Sequence, residues 1–332
     1  MTGPISVGVA GAGKWGKNHV ATASRLGMLA AICDADAESL GDVWSQYPDA
    51  KATTRFEDML RMPIDAAVIA TPAQTHARLA LAAIEAGKHV FVEKPLALTV
   101  EEAESVAAAA ARRGVHVFVG HLVLYQQGVR AVLEHVRSGS LGEVRHVRAR
   151  RASFGRLRFV EDVWWSFAPH DVSIVLAIMG EGPVESSIAR HSYATPGIAD
   201  FAYADFRFSG NRTAHVESTW LDPNKNSSLD VFGTQRTLSL REAGGKSFLR
   251  IVACGVRENA GGRPDLWRGD ETTVEFEADE PLKTELESFA GMILHGDRVP
   301  SDAQAGVAVV RALSMSPAQS YVVHEMYERM PV

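Results

Sequence analysis

Cysteine is scarce in this 332-residue chain: Cys33 and Cys254 are the only two, too few for a disulfide framework. Cys33 sits inside the apolar run LAAICD, where a small buried hydrophobe is expected, so a reducing compartment fits. Long hydrophobic runs are also missing, since no apolar stretch reaches the roughly 20 residues that span a bilayer. The start, MTGPISVGVAGAG, carries no basic leader and no twin arginine, so the expectation is a cytoplasmic protein without a membrane partner. Neither sign of charge dominates, because Lys plus Arg number 34 and Asp plus Glu 40, a net charge of −6. That mild acidity argues against nucleic acid or an anionic membrane as the main partner and leaves small molecules. The twelve histidines show no ligand-like spacing, so no metal is expected. Internal repeats and low-complexity tracts are absent as well. What remains, at 46% hydrophobic and 22% charged, is an ordinary globular composition whose length corresponds to about two domains.

The first third alternates short apolar runs with helical patterns. Ile5–Ala10, Leu29–Cys33, Ala66–Ala70, His89–Val92 and Val115–Val119 read as strands, continuously apolar because parallel strands are covered on both faces. Gly16–Leu26, Ala37–Gln46, Thr75–Gly87 and Thr99–Gly114 read as the helices between them, the signature of βαβ units. Thr-Val-Glu-Glu from Thr99 is a capping signal, and Gly87 and Gly114 stand where helices end.

After Gly120 the rhythm changes. A helix over Gly128–Ser138 is followed by alternating segments at Val144–Ser153, Val184–His191, Phe201–Phe208, Thr213–Leu221, Leu229–Phe232, Thr237–Leu240, Phe248–Ala253 and Thr272–Phe276. Alternation means one packed face and one wet or interface face, the habit of an antiparallel sheet. Helices are expected near Trp165–Met179, at Pro281–His295 and over Asp302–Met326, while Gly244-Gly245 and Gly261-Gly262 mark loops.

Gly11-Ala12-Gly13-Lys14-Trp15-Gly16 is a G-x-G-x-x-G run directly after the strand SVGVA and at the mouth of a helix. Gly11 permits the tight turn, Gly13 removes the Cβ that would block a pyrophosphate, and Gly16 allows close helix–strand packing. The helix start offers free N–H groups and a positive dipole end. At the end of the second strand, Asp34 stands where a carboxylate accepts from the ribose hydroxyls and repels a 2′-phosphate. Neither Ala35, Asp36 nor Ala37 supplies a cation for that phosphate, so NAD(H) is favoured over NADP(H). Asp34 as a helix N-cap is the other reading, and both roles are compatible.

The stretch IATPAQTHARLALAAIEAGKHVFVEKPLALT, with Thr71-Pro72, His76, Ala86-Gly87-Lys88-His89-Val90 and above all Glu93-Lys94-Pro95, resembles the Gfo/Idh/MocA family of nicotinamide-dependent oxidoreductases. The similarity continues through VGHLVLY, RSGSLGEVRHV, WWSFAPHDVSIVLAIMG and PSDAQAGVAVVRAL. It implies an α/β Rossmann domain over residues 1–121 that binds the cofactor. It also implies an α+β domain over 122–332, built on an open, mostly antiparallel sheet for substrate and oligomer contacts. The last helices would pack back on the first domain, and a homodimer or homotetramer is expected. On the same resemblance Lys94 is the active-site lysine, touching the substrate hydroxyl and the cofactor, with an ion pair to Glu93 as the plainer role. Thr71 and Pro72 would border the nicotinamide ribose, Glu93 would lie in the cofactor region, and His76 would be a cofactor neighbour, a cap or a surface residue.

His170 is the second catalytic candidate, because imidazole titrates near neutral pH and suits exchange of a carbinol proton. The family places Asp four residues earlier; here that position is Ser166, which can relay or orient but cannot be a strong base. Asp171 is expected near the substrate or orienting its surroundings. Tyr125 and Gln126 are either substrate contacts or packing. Arg145–Arg158 holds six arginines in 14 residues; Arg148 and Arg150 fit an exposed strand face. Arg156 and Arg158 follow Gly155 on a loop and offer guanidinium forks to an anionic group of the substrate. The resemblance extends to the branch acting on nucleotide-linked sugars, typically at the sugar 3-position. Three alternatives stay open: a dehydrogenase for inositol or free sugars, an NAD-dependent glycosidase, and a non-catalytic NAD-binding regulator.

Overall fold

The computed structural model describes residues 5–154, 161–243, 245–259 and 262–315. Strands β1 (Val7–Ala10), β2 (Leu29–Cys33), β3 (Lys51–Thr53), β4 (Ala66–Ile69), β5 (His89–Glu93) and β6 (Val117–Gly120) form one sheet in the order β3-β2-β1-β4-β5-β6. Every pairing is parallel. All residues of β1, β4 and β6 are buried, the condition that made these runs continuously apolar. The connecting helices are α1 (Lys14–Arg25), α2 (Ala37–Trp44), α3 (Phe56–Leu60), α4 (His76–Glu85) and α5 (Val100–Arg113). Helix α5 starts where Thr99 Oγ1 accepts the Glu102 amide at 3.2 Å and ends at Gly114 in the left-handed region, φ 67°. Strand β3 and helix α3 were not anticipated. Three residues with an exposed Lys51 show no pattern by themselves; β3 exists because the edge of β2 pairs with it.

The chain divides into two compact units. The first takes the residues through Arg130 and returns for Asp279–Ser314; the second takes Ala131–Ala278. Helices α8 (Pro281–His295) and α9 (Ala303–Ser314) therefore belong to the first unit, where α8 packs beside α1 and α9 beside α5. The helix expected over Asp302–Met326 appears as α9, and its remainder lies outside the described residues. Helix α6 (Gln127–Arg137) runs across the division.

The second unit is built on an eight-stranded sheet. Its strands are β7 (Val144–Phe154), β8 (Glu185–His191), β9 (Phe201–Arg207), β10 (Thr213–Thr219), β11 (Leu221–Gly233), β12 (Arg236–Ala243), β13 (Lys246–Glu258) and β14 (Pro264–Phe276). In the order β14-β13-β12-β11-β7-β10-β9-β8 only the β7–β10 pairing is parallel. Helix α7 (Val163–Met179) packs against β7, β9 and β10. The last four strands are longer than alternation indicated. The outer half of the β13–β14 hairpin is wet on both sides, with Val256 and Leu266 exposed opposite each other, so nothing selects an apolar face there. Residues 255–270, unread from pattern, are largely this ladder.

Candidate active site

Strand order reverses beside β1, the point outside which open α/β sheets bind their ligands. The glycine run lies at that end of β1. Gly11 adopts φ +99°, and a Cβ there would stand 2.5 Å from the Ala70 carbonyl oxygen. A Cβ on Gly16 would stand 1.7 Å from the Gly11 carbonyl oxygen. A Cβ on Gly13 would meet nothing within 4 Å. Gly13 is also the N-cap of α1 and offers no side chain to its first amides, which are left for a ligand; Lys14 and Trp15 beside it are exposed. The loop thus fits a pyrophosphate: open where a phosphate must approach, closed where only backbone packs.

Asp34 closes the other side. Its Oδ2 accepts the Ala12 amide at 2.5 Å and its Oδ1 the Asp36 amide at 2.9 Å. The N-cap alternative for Asp34 is corrected: α2 begins only at Ala37, and Asp36 caps it by accepting from the amides of Glu38 and Ser39. Asp34 instead ties the second strand to the glycine loop.

At the end of β4, Thr71 Oγ1 lies 2.6 Å from Thr75 Oγ1, with Pro72 exposed between them. His76 is not a surface residue, a second correction; its amide closes the short turn of Ala73–Thr75 by donating to the Ala73 carbonyl. It is 1% exposed, with Nδ1 2.7 Å from the Pro95 carbonyl oxygen and Nε2 2.9 Å from that of Thr71. At the end of β5, Glu93 Oε1 lies 2.7 Å from His19 Nε2 of α1, and its Oε2 accepts the Lys94 amide at 3.3 Å. Glu93 is therefore aimed inward. Burial alone would push its carboxyl up; the His19 hydrogen bond and the attraction of His19, Lys94 and His76 together hold it below the usual value. Lys94 itself is half-buried.

Three groups here escaped the sequence reading. His19 is fully buried under Glu93 with its ring edge on Phe91, centroids 5.1 Å apart. His121, just past β6, is pushed down to about 4, chiefly by burial and further by the Lys94 charge, against the pull of Glu93. Glu285 on α8 is fully buried, and burial, reinforced by Glu93, pushes its carboxyl well above the usual value. A signal existed for two of them. His19 shares the buried face of α1 with Gly16, Val20 and Ala23, and Glu285 that of α8 with Phe289 and Met292.

In the same unit Tyr125 is buried. It is 5% exposed, its ring lies 5.7 Å from that of Phe118, and burial pushes its hydroxyl up. Gln126 is half-buried.

In the second unit, α7 starts at Asp162, whose carboxylate accepts the Trp165 amide at 2.9 Å. Pro169 removes one helical donor directly before His170. Ser166 is buried and His170 half-exposed. Asp171 points away from solvent and accepts from two of the Arg151 nitrogens, Nε at 2.8 Å and Nη2 at 3.0 Å. It anchors α7 on β7. The arginine run is committed likewise: Arg145 pairs with Glu143, Arg148 with Asp230, and Arg150 with Glu217 and Asp222. Arg156 and Arg158 lie outside the described residues.

These features define a nicotinamide-dinucleotide-binding fold joined to a sheet domain. Residues 5–121 match the GFO/IDH/MocA oxidoreductase family with an NAD-binding Rossmann fold, and residues 129–239 match the GFO/IDH/MocA C-terminal domain. The chain belongs to this family of oxidoreductases. UDP-N-acetylglucosamine 3-dehydrogenase from Acidithiobacillus ferrooxidans is 25% identical over 93% of this chain and 95% of that one, and its structure superposes with a TM-score of 0.81. A solved protein from Magnetospirillum magnetotacticum, described provisionally as an oxidoreductase, is 32% identical over 93% of this chain and 98% of that one, TM-score 0.77. Scyllo-inositol dehydrogenase from Lactobacillus casei, solved with NAD(H) and scyllo-inositol, shares the fold at 18% identity, TM-score 0.77, over 93% of this chain and 95% of that one.

Proposed function

We propose that this oxidoreductase acts on a secondary alcohol or ketone of a sugar, at the 3-position of a nucleotide-linked or otherwise anionic sugar. The observation that carries the reading is the half-buried Lys94 at the carboxyl end of β5, in a chain that resembles a UDP-N-acetylglucosamine 3-dehydrogenase over nearly its whole length. Bound in the glycine loop, NAD(H) would supply the hydride chemistry at the carbinol carbon. The residues of the chain do the rest. The glycine loop and the first amides of α1 hold the pyrophosphate, while Thr71 and Pro72 border the ribose. Asp34 accepts from the adenosine ribose hydroxyls, which favours NAD(H) over NADP(H). Lys94 polarises the oxygen that gains or loses charge, and His170 takes or returns the hydroxyl proton. Ser166 cannot be the base, so the proton load rests on His170. Gln126 is assigned to the substrate.

Residues 1–121 serve the cofactor, residues 122–332 the sugar and self-association, and the setting is a cytoplasmic homodimer or homotetramer; light scattering showing a monomer overturns the last point.

The deciding experiment follows absorbance at 340 nm across nucleotide sugars, hexose phosphates and inositols. Turnover of a nucleotide sugar that is lost in Lys94→Ala and His170→Ala is the expected result. Turnover of inositols alone moves the substrate to free polyols, and bound NAD without net turnover on any sugar refutes the dehydrogenase.

A further inference from the structure

The backbone that carries Lys94 is held on both sides by a buried imidazole. Ahead of it, the Lys94 amide donates to Glu93 Oε2 at 3.3 Å, and Glu93 Oε1 meets His19 Nε2 at 2.7 Å. Behind it, the Pro95 carbonyl oxygen meets His76 Nδ1 at 2.7 Å, and the other nitrogen of that ring meets the Thr71 carbonyl oxygen at 2.9 Å. His19 and His76 are 0% and 1% exposed. His76 thus spans the ends of β4 and β5, fastening the loop of Thr71 and Pro72 to the turn after Lys94. Both of its partners are carbonyl oxygens, which only accept, so the ring nitrogen that carries the hydrogen donates to one of them, and only a doubly protonated ring donates to both. Low local dielectric strengthens such bonds and makes their loss costly.

We propose that His76 is a positioning residue for Lys94. It acts through the Pro95 carbonyl and sets the place of the ammonium; it touches neither substrate nor reacting atoms. The proposal rests on the role given above to Lys94 as the group that polarises the reacting oxygen. A buried ring of this kind works as an outer partner works on a metal ligand, where its loss leaves the site assembled and the reacting group misplaced.

The test compares His76→Leu, which fills the space without donors, with His76→Gln, whose amide nitrogen keeps them. Melting temperature, NADH affinity, kcat and KM are measured for each. Independently of turnover, Lys94 is labelled in the NAD-free full-length protein with acetic anhydride in competition with exposed Lys51, and the ratio is read by peptide mass spectrometry. In His76→Leu we expect kcat to fall about 10- to 100-fold with NADH affinity held within about threefold, and His76→Gln to recover most of the loss. The Lys94-to-Lys51 labelling ratio should change by about threefold or more in His76→Leu and return in His76→Gln. An unchanged labelling ratio, or a lowered melting temperature with kcat intact, overturns the proposal. So does a fall in NADH affinity as large as the fall in kcat, which would make His76 a cofactor-loop residue. If no sugar is turned over by the unmodified enzyme, the proposed function fails while the labelling ratio still decides the role of His76. Should His76→Leu fail to fold, His76→Asn, whose shorter amide spans one carbonyl, replaces it under the same criteria.

Discussion

His19 Nε2 lies 2.7 Å from Glu93 Oε1, and through that contact the helix following the glycine loop is joined to the strand that ends at Lys94. Both side chains are shielded from water, at 0% and 14% exposure, so neither can exchange its partner for solvent cheaply. Removing His19 leaves Glu93 Oε1 without its partner, while Oε2 keeps the Lys94 amide. His19→Leu should therefore destabilise the first unit by about 1–3 kcal/mol, the cost of leaving a buried acceptor unpaired. Glu93 is held below the usual value of 4.5, so its contribution is complete above that pH and is lost as pH falls through the lower folded value. In the His19→Leu variant this acid limb should shrink. Urea unfolding at neutral pH and across the acid range checks both statements; equal stability of variant and parent contradicts the first.

His121 and Glu285 pull the pH dependence of stability in opposite directions. The unfolded His121 gains a proton below about 6.5 and the folded one only near 4, so stability drops as pH falls across that window. Glu285 ionises near 4.5 when unfolded and well above that when folded, so from 4.5 upward stability drops as pH rises. Glu285→Gln, which mimics the protonated acid, should raise the melting temperature at pH 8 while changing little at pH 4, by about 2–4 °C for each kcal/mol recovered. His121→Leu should flatten the acid side. A Glu285→Gln variant whose gain is the same at both pH values would show that the carboxyl does not titrate as stated.

The parallel sheet and the glycine loop were legible because each rests on local chemistry: continuous apolar runs for strands buried on both faces, and glycines where a Cβ would collide at 2.5 Å or less. The wet half of the β13–β14 hairpin was not, because cross-strand hydrogen bonding holds it without any apolar face to read. The same division runs through the site. Lys94 and His170 stand out in the chain, whereas the partners of Asp34, His76 and Asp171 are set by contacts between residues distant in sequence. A short polar side chain ahead of a helix looks like a cap at Asp34 and at Asp36 alike, and only the start of α2 at Ala37 decides between them. Neighbouring helix positions point to different sides, and beside His170 it is Asp171 that takes the side facing β7, where Arg151 holds it.

Asp34 accepts the Ala12 amide, and in the function proposed above it also accepts the ribose hydroxyls of NAD. Asp34→Ser should therefore lower NADH affinity through both and relieve the repulsion of a 2′-phosphate. We expect the NADPH-to-NADH affinity ratio to rise about tenfold, roughly 1.4 kcal/mol, with the absolute affinity for both held down by the loosened loop. Titration of both cofactors by fluorescence measures the ratio. An unmodified protein that binds NADPH more tightly than NADH would refute the assignment of Asp34 at the outset.

Gly13 and Gly16 separate folding from binding within one loop. A methyl group on Gly16 would lie 1.7 Å from the Gly11 carbonyl oxygen, a backbone atom that cannot swing away, so Gly16→Ala must displace the loop from α1. Its melting temperature and cofactor affinity should fall together. Gly13 has ordinary backbone angles, φ −71° and ψ −167°, and a methyl group there enters open space. Gly13→Ala should leave the free protein as stable as the parent or about 0.4–1 kcal/mol more so, through the reduced freedom of the unfolded chain. Its cofactor affinity should nevertheless fall, because the open space is where the pyrophosphate must come close to the backbone. Thermal unfolding with and without NADH distinguishes the two variants. A Gly13→Ala protein that binds NADH as tightly as the parent would mean that the pyrophosphate does not approach at Gly13.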